Sequence, residues 1–257
     1  MLETIVAQKR IEVNQLKTMR PLVEWFNEIK QGGFAFGKAL EAGWSLIAEC
    51  KLTSPFKGSL CQGYSVLELA ELYTMNGATA LSVHTDRHFH GKLEDIGIVK
   101  NISSLPVLRK DFIVDKYQIY EARHAGADAI LLIAAILTSR QLAEYLAIGH
   151  DLGLDCLVEV HTADELDMVH KTAAKLIGIN NRDLRTFRTD IKNTFKLAEY
   201  FDPTKTYISE SGIRRGYEAA QLKKLGVRGI LVGEGLVTAS DIPGRIRELA
   251  VHKERLQ

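Results

Sequence analysis

The chain has 257 residues, 46% of them hydrophobic, with 33 Lys and Arg against 32 acids and a formal net charge of +1. No Pro/Gly/Ser-rich linker or charge block divides that length, so a single domain over 1–257 is expected, and the charge balance argues against a nucleic-acid partner or an anionic membrane. Cys50, Cys61 and Cys156 are an odd number at unrelated spacings, which excludes a disulfide or zinc framework and suits reduced thiols in the cytoplasm.

Met1 to Ile5 lack the basic-then-apolar form of a signal peptide. Ile5, Val6, Lys9, Val13 and Leu16 then give an amphipathic helical rhythm, followed by a short helix from Trp25 to Ile29 and a further turn or two over Phe34 to Ala42. Strands begin only after this point, so residues 1–45 form a helical extension and 46–257 the main fold. The longest apolar run, Ala129 to Leu137, falls well short of the roughly 20 residues that span a bilayer.

From residue 46 the pattern is strand, loop, helix, repeated. Strands are expected near 46–51, 79–84, 106–110, 128–133, 154–159, 175–180, 205–209 and 228–233, with helices near 66–75, 92–101, 116–125, 139–152, 163–173, 191–200, 214–225 and 241–252. Gly77-Ala78-Thr79, Gly126-Ala127-Asp128 and Gly226-Val227-Arg228 each end a helix on Gly and enter a strand at once. Their separations of 49 and 100 positions are two and four units of about 25 residues. Eight parallel βα units close into an α/β barrel. An open doubly wound sheet is the alternative, disfavoured because no G-x-G-x-x-G follows the first strand.

Polar residues gather at the carboxyl ends of these strands. Pro106-Val107-Leu108-Arg109-Lys110-Asp111-Phe112 runs from an apolar strand into three successive charges, and an unpaired buried charge is costly enough to need a reason. Glu49 and Lys51 stand two apart and share a face, as do Asn180 and Arg182. Glu159 closes the apolar run Cys156-Leu157-Val158. Any one of these is ordinary as a rim ion pair, but ordinary stability does not require them on so many strand ends. Acids and lysines sharing a partly dry mouth shift one another's pKa values apart, which supplies a proton donor and an acceptor together.

Ile208-Ser209-Glu210-Ser211-Gly212 and Val232-Gly233-Glu234-Gly235 are small-residue turns after the last two strands, where barrel enzymes bind phosphate on backbone N–H groups. Ser54-Pro55-Phe56-Lys57-Gly58-Ser59 is a long loop suited to a mobile lid. His84, His88 and His90 match no metal-ligand spacing, so no metal is expected there. Phe89 and Phe112 follow the second and third strands, where they are either core or the wall of an aromatic pocket.

Ile47-Ala48-Glu49-Cys50-Lys51 with Ser54-Pro55 and Lys57-Gly58, and Leu108-Arg109-Lys110-Asp111-Phe112 with Gln118-Ile119-Tyr120, closely resemble the indole-3-glycerol phosphate synthase family. So do Leu157-Val158-Glu159-Val160, Gly178-Ile179-Asn180-Asn181-Arg182-Asp183-Leu184, Ser209-Glu210-Ser211-Gly212-Ile213 and Val232-Gly233-Glu234, in order over nearly the whole chain. The resemblance implies a (β/α)8 TIM barrel whose amino-terminal extension lies over the active-site mouth. It implies a decarboxylating, dehydrating ring closure in tryptophan biosynthesis on a small phosphorylated substrate, without cofactor or metal, by a monomer or weak homo-oligomer.

By that resemblance, Lys110 is the general acid and Glu159 acts in proton transfer during dehydration. Lys51 pairs with the substrate's anionic groups and Glu49 positions the lysines. Asn180 and Arg182 hold the intermediate, and Ser211 shapes the site. Ser54, Phe89, Phe112, Leu131 and Leu184 would touch substrate, and Glu210, Gly212, Val232, Gly233 and Glu234 would complete its binding and the phosphate cup. Thr53, Phe56, His84 and Gly235 depart from the family's usual residues. A different phosphate-substrate barrel enzyme, such as an isomerase related to phosphoribosylanthranilate isomerase, and a non-catalytic binding paralogue are the alternatives. The set Glu49, Lys51, Lys110 and Glu159 speaks against the isomerase, while the altered lid at Phe56 keeps the binding paralogue open, and ligand binding without turnover would support it.

Overall fold

The computed structural model describes residues 2–54, 58–60, 63–183, 186 and 188–250. Eight parallel strands form a closed barrel: β1 (Ser45–Cys50), β2 (Ala80–His84), β3 (Val107–Lys110), β4 (Ala129–Ile133), β5 (Asp155–Val160), β6 (Leu176–Asn180), β7 (Thr206–Glu210) and β8 (Gly229–Val232). Each pairs with its neighbours in sequence, and β1 pairs with β8 to shut the ring. The expected strand positions agree within one or two residues.

The alternation of side chains explains both core and site. Ile47, Leu108, Leu131, Leu157, Leu176, Ile208 and Leu231 face the lumen and form one apolar cluster. Their sequence neighbours Leu46, Ala48, Val107, Ile130, Val158, Ile177 and Ile230 face outward into a second cluster beneath the helices. Counting two residues on from the lumen set reaches Glu49, Lys110, Glu159, Glu210 and Gly233. Strand periodicity thus delivers the polar groups to the mouth without any special backbone feature.

The outer layer comprises α3 (Val66–Met75), α4 (Glu94–Ile102), α5 (Tyr117–His124), α6 (Ser139–Asp151), α7 (Ala163–His170), α8 (Lys192–Leu197), α9 (Gly216–Lys224), a short α10 (Glu234–Val237) and α11 (Ile242–Leu249) among the described residues, after α1 (Leu2–Met19) and α2 (Ala35–Glu41) in the extension. Starts are set by side-chain caps. Ser65 and Thr138 form capping boxes with Glu68 and Gln141, and Thr162 caps α7.

The extension differs from expectation in two ways. Trp25 to Ile29 is not one helix but two 3-10 turns, Leu22–Glu24 and Phe26–Glu28, hinged at Trp25. Trp25 is buried edge-on against Tyr117, so tertiary packing, rather than helical hydrogen bonding, sets this segment. The extension also serves both ends of the barrel. Leu2 and Ile5 of α1 reach the mouth, whereas Phe36 and Leu40 of α2 join the lumen cluster at its foot. There Gly37 N donates to Asp155 Oδ2 at the first residue of β5, and Gly32 N donates to Leu152 O.

Lys9 pins α1 in place. Its buried ammonium lies 2.6 Å from Asp86 Oδ2 and 3.0 Å from Asp111 Oδ1, on the loops after β2 and β3. Removing one member of a buried ion-pair network strands the others. Lys9→Met is therefore expected to lose about 3 kcal/mol in urea unfolding, the low end of the usual range because Asp111 keeps Arg109. A loss below about 1 kcal/mol would show that α1 is held by its apolar face alone.

Candidate active site

A cavity of about 500 Å³ opens at the carboxyl ends of the strands. Glu49, Lys110, Glu159 and Glu210 come from β1, β3, β5 and β7, the alternate strands that supply one layer of a barrel interior. In most such layers those positions are apolar. Here three carboxyl groups surround one ammonium: Lys110 Nζ lies 3.2 Å from Glu159 Oε2 and 3.9 Å from Glu210 Oε2.

Of the three charges that end β3, only Lys110 belongs to this cluster. Arg109 points outward and is consumed by Thr85, the carbonyl of Gln118, Asp111 and Glu121. Asp111 is tied to Arg109, Thr85 and Lys9. These two residues brace the loop that carries Phe112, which lines the cavity.

The electrostatics separate the acids. Burial would raise the Glu159 carboxyl, but Lys110, His161 and Asn180 together hold it well below the usual carboxylate range. Burial likewise opposes ionisation of Glu49, and Lys51, His84 and Lys110 outweigh it, so Glu49 is also anionic. Glu210 goes the other way. Burial, then Glu159 and Glu49, push it up to about 8 against the pull of Lys110. Its Oε1 has no hydrogen-bond partner among the described residues, which independently favours a protonated group.

Lys110 is held cationic: burial lowers its pKa, and Glu159, Glu210 and Glu49 more than reverse that. Lys51 is lowered, first by burial and then by Arg182 and Lys110, with Glu49 and Glu234 opposing. The site thus holds a fixed cation, a lysine that gives up its proton more readily, two carboxylates and a neutral acid.

Glu210 provides a pH test. Below about pH 8 it is neutral; above, it becomes a third anion beside Glu159 and Glu49, in a mouth whose small-residue turns suit an anion. The value of kcat/KM is expected to fall above about pH 8, and Glu210→Gln, which mimics the protonated form, to flatten that limb. A limb unchanged in the variant would show that Glu210 does not set it.

The cavity has two ends. Phe89, Phe112, Leu131 and Ile133 line one side, with the Phe89 and Phe112 rings 6.5 Å apart between centroids and Lys51 Nζ 5.4 Å from the Phe89 centroid. Ser211, Gly212, Val232, Gly233 and Glu234 line the other. Ser211 and Gly212 both have positive φ, 68° and 80°, and this turn is clamped by Asn181, whose Nδ2 donates to Ser211 O at 3.0 Å. Glu234 would repel an anion if left alone, but Arg214 Nη2 lies 2.7 Å and Arg182 Nη2 3.7 Å from its carboxylate.

Two glycines leave room for the acids. A Cβ at Gly233 would overlap Glu49 Oε2, and one at Gly178 would overlap Glu210 Oε1. Gly233 is therefore needed by Glu49 whatever it does for a phosphate.

The structure brings Glu49, Lys51, Lys110, Glu159, Asn180, Arg182, Glu210 and Ser211 to one cavity. Leu184 and Pro55–Lys57, including Phe56, lie outside the described residues. Ser54 pairs with Gly58 in a small hairpin, Thr53–Ser54 with Gly58–Ser59, rather than an open loop. His84 turns to Glu49 and His88 to Asp86. Sequence reasoning passed over His161. Its Nε2 stands 3.3 Å from Glu159 Oε1 and its Nδ1 3.2 Å from Glu165 Oε2. Burial lowers its pKa, but those carboxylates carry it up to about 10, so it backs Glu159 as a cation. Its place two residues after Glu159, facing the same way, was the available signal. Asn181 was passed over too, because an amide in a loop has no periodicity to betray it.

A closed parallel barrel with paired acids and lysines at its mouth and an anion-suited turn beside them is the arrangement of a (β/α)8 barrel enzyme. The family model for indole-3-glycerol phosphate synthase matches residues 2–249. The chain is 48% identical over 256 residues to the indole-3-glycerol phosphate synthase of Desulforamulus reducens, covering 97% of each chain, and 45% identical over 262 residues to that of Roseiflexus castenholzii, again covering 97% of each. Among solved structures, 3-hexulose-6-phosphate synthase from Salmonella typhimurium is similar in fold, with a TM-score of 0.65 at 13% identity over 80% of this chain and 96% of that one. The chain belongs to the indole-3-glycerol phosphate synthase family.

Proposed function

We propose that the chain closes the indole ring of 1-(2-carboxyphenylamino)-1-deoxyribulose 5-phosphate, releasing carbon dioxide and water, as a step of tryptophan biosynthesis. The observation that carries this reading is the Lys110 ammonium held between Glu159 and Glu210, with an aromatic wall on one side and the Ser211–Gly212 turn on the other. A ketone is a poor electrophile and the aminobenzoate ring a modest nucleophile. The reaction therefore needs a donor aimed at the carbonyl oxygen and a frame that presses the two ends together.

The aromatic ring lies against Phe89, Phe112 and Leu131, and the phosphate against Ser211, Gly212, Gly233 and Glu234 with Lys51. The carbonyl between them meets Lys110. As the ring carbon bonds to the carbonyl carbon, Lys110 gives its proton to the oxygen. Loss of the ring carboxylate as carbon dioxide restores aromaticity. Glu159 then takes the proton from the neighbouring ring carbon and passes it to the new hydroxyl, which leaves as water as the second ring double bond forms, and Asn180 and Arg182 hold the intermediate. Donor, acceptor and positive charge are all side chains, so the scheme calls on no cofactor. The protein is proposed to work in the cytoplasm as a monomer or weak homo-oligomer.

The test is to mix the purified protein with this substrate in metal-free buffer and follow indole fluorescence. Steady product formation is expected. A folded protein that binds the substrate and forms no product would overturn the proposal in favour of a binding protein.

A further inference from the structure

Glu49 is gripped from both sides. Its Oε2 lies 3.7 Å from Lys51 Nζ, and its Oε1 lies 2.5 Å from Nε2 of His84, the last residue of β2. Because Glu49 is anionic it can only accept, so the proton in the short contact sits on His84 Nε2. His84 is 7% exposed, lines the cavity and stacks on Phe89 with centroids 4.4 Å apart and planes 11° from parallel.

The loop between His84 and Phe89 does not leave this stack to chance. Asp86 accepts from His88 N, Gly91 N donates to Asp86 O, and a Cβ at Gly91 would overlap the His84 carbonyl. The loop therefore curls back onto the strand end and sets the Phe89 ring over the imidazole.

We propose that His84 is a positioning residue of the reaction: its Nε2–H fixes Glu49 so that the other carboxylate oxygen faces Lys51, while its ring backs Phe89 as the second layer of the aromatic wall. One side chain thereby ties the proton-transfer half of the site to the ring-binding half. The ionisable groups facing it are Glu49, Lys51 and Lys110. Burial, then the two lysines, favours the uncharged imidazole against Glu49, consistent with a single-proton donor.

This inference rests on the synthase reading, and wild-type turnover in the same assay separates failure of that reading from failure of this one. Two variants divide the roles. His84→Phe keeps a ring against Phe89 and removes the donor; kcat is expected to fall about tenfold or more, with KM within about twofold, as for a lost hydrogen bond to a charged group. His84→Gln keeps an N–H near the Nε2 position and removes the ring; kcat is expected to stay within about threefold while KM rises severalfold. Wild-type kcat in His84→Phe, or equal losses of kcat in both variants, would overturn the proposal.

A measurement on the unaltered protein guards against misfolded variants. Nitrogen-15 NMR of the histidine rings is expected to show His84 with Nε2 protonated and Nδ1 bare from pH 6.5 to 8.5. The opposite tautomer, or an imidazolium across that range, would overturn the assignment.

Discussion

Lys110→Ala is expected to lower kcat by 10²- to 10⁴-fold, the usual contribution of a positioned proton donor. Lys110 is the only ammonium within reach of both Glu159 and Glu210 among the described residues. The change also removes the charge that keeps two buried acids compatible, so loss of activity alone does not distinguish a proton donor from an electrostatic prop. Lys110→Arg makes the distinction. Arginine preserves the charge but does not give up its proton at accessible pH. If Lys110 protonates the carbonyl oxygen, Lys110→Arg remains at least about 10²-fold impaired. Recovery to within about tenfold would reduce Lys110 to a counter-charge. Both variants are read by indole fluorescence, with thermal unfolding checked alongside.

The second large effect is expected for Glu159→Gln, a fall in kcat of about 10²-fold or more. The amide fills the same space but accepts no proton, and both of its former partners, Lys110 and His161, lose an anion. The diagnostic reading is the order of the products. If Glu159 acts in dehydration, a single turnover of the variant releases carbon dioxide well ahead of indole, because a decarboxylated, still hydroxylated intermediate builds up. Carbon dioxide and indole slowed together would move the role of Glu159 back to ring closure.

Much of this site was legible in the sequence because a strand's period of two is rigid. Once Ile47 and Leu108 are recognised as core, Glu49 and Lys110 must share their face, and the structure places them so. The same rule applied to Arg109 gives the opposite face, and the charged run Arg109-Lys110-Asp111 divides accordingly into one catalytic candidate and two braces. Partners were harder to foresee. That Glu49 meets His84 and that Glu210 is held protonated both depend on how strands far apart in the sequence are staggered around the barrel. The extension was recognised as helical and additional, but no pattern in residues 34–42 said which end of the barrel it would stop.

The route of that extension has a consequence for how the enzyme breathes. Its far part, α2, is rooted among lumen side chains and cannot leave without exposing Phe36 and Leu40 to water. Its near part, α1, buries only Ile5, Lys9 and Val13. Local opening therefore favours the first nineteen residues, swinging about the 3-10 turns around Trp25 while the foot stays sealed. Opening at that rim gives up the Lys9 ion pairs and the burial of Ile5 and Val13 and leaves the packing of the barrel beneath it untouched.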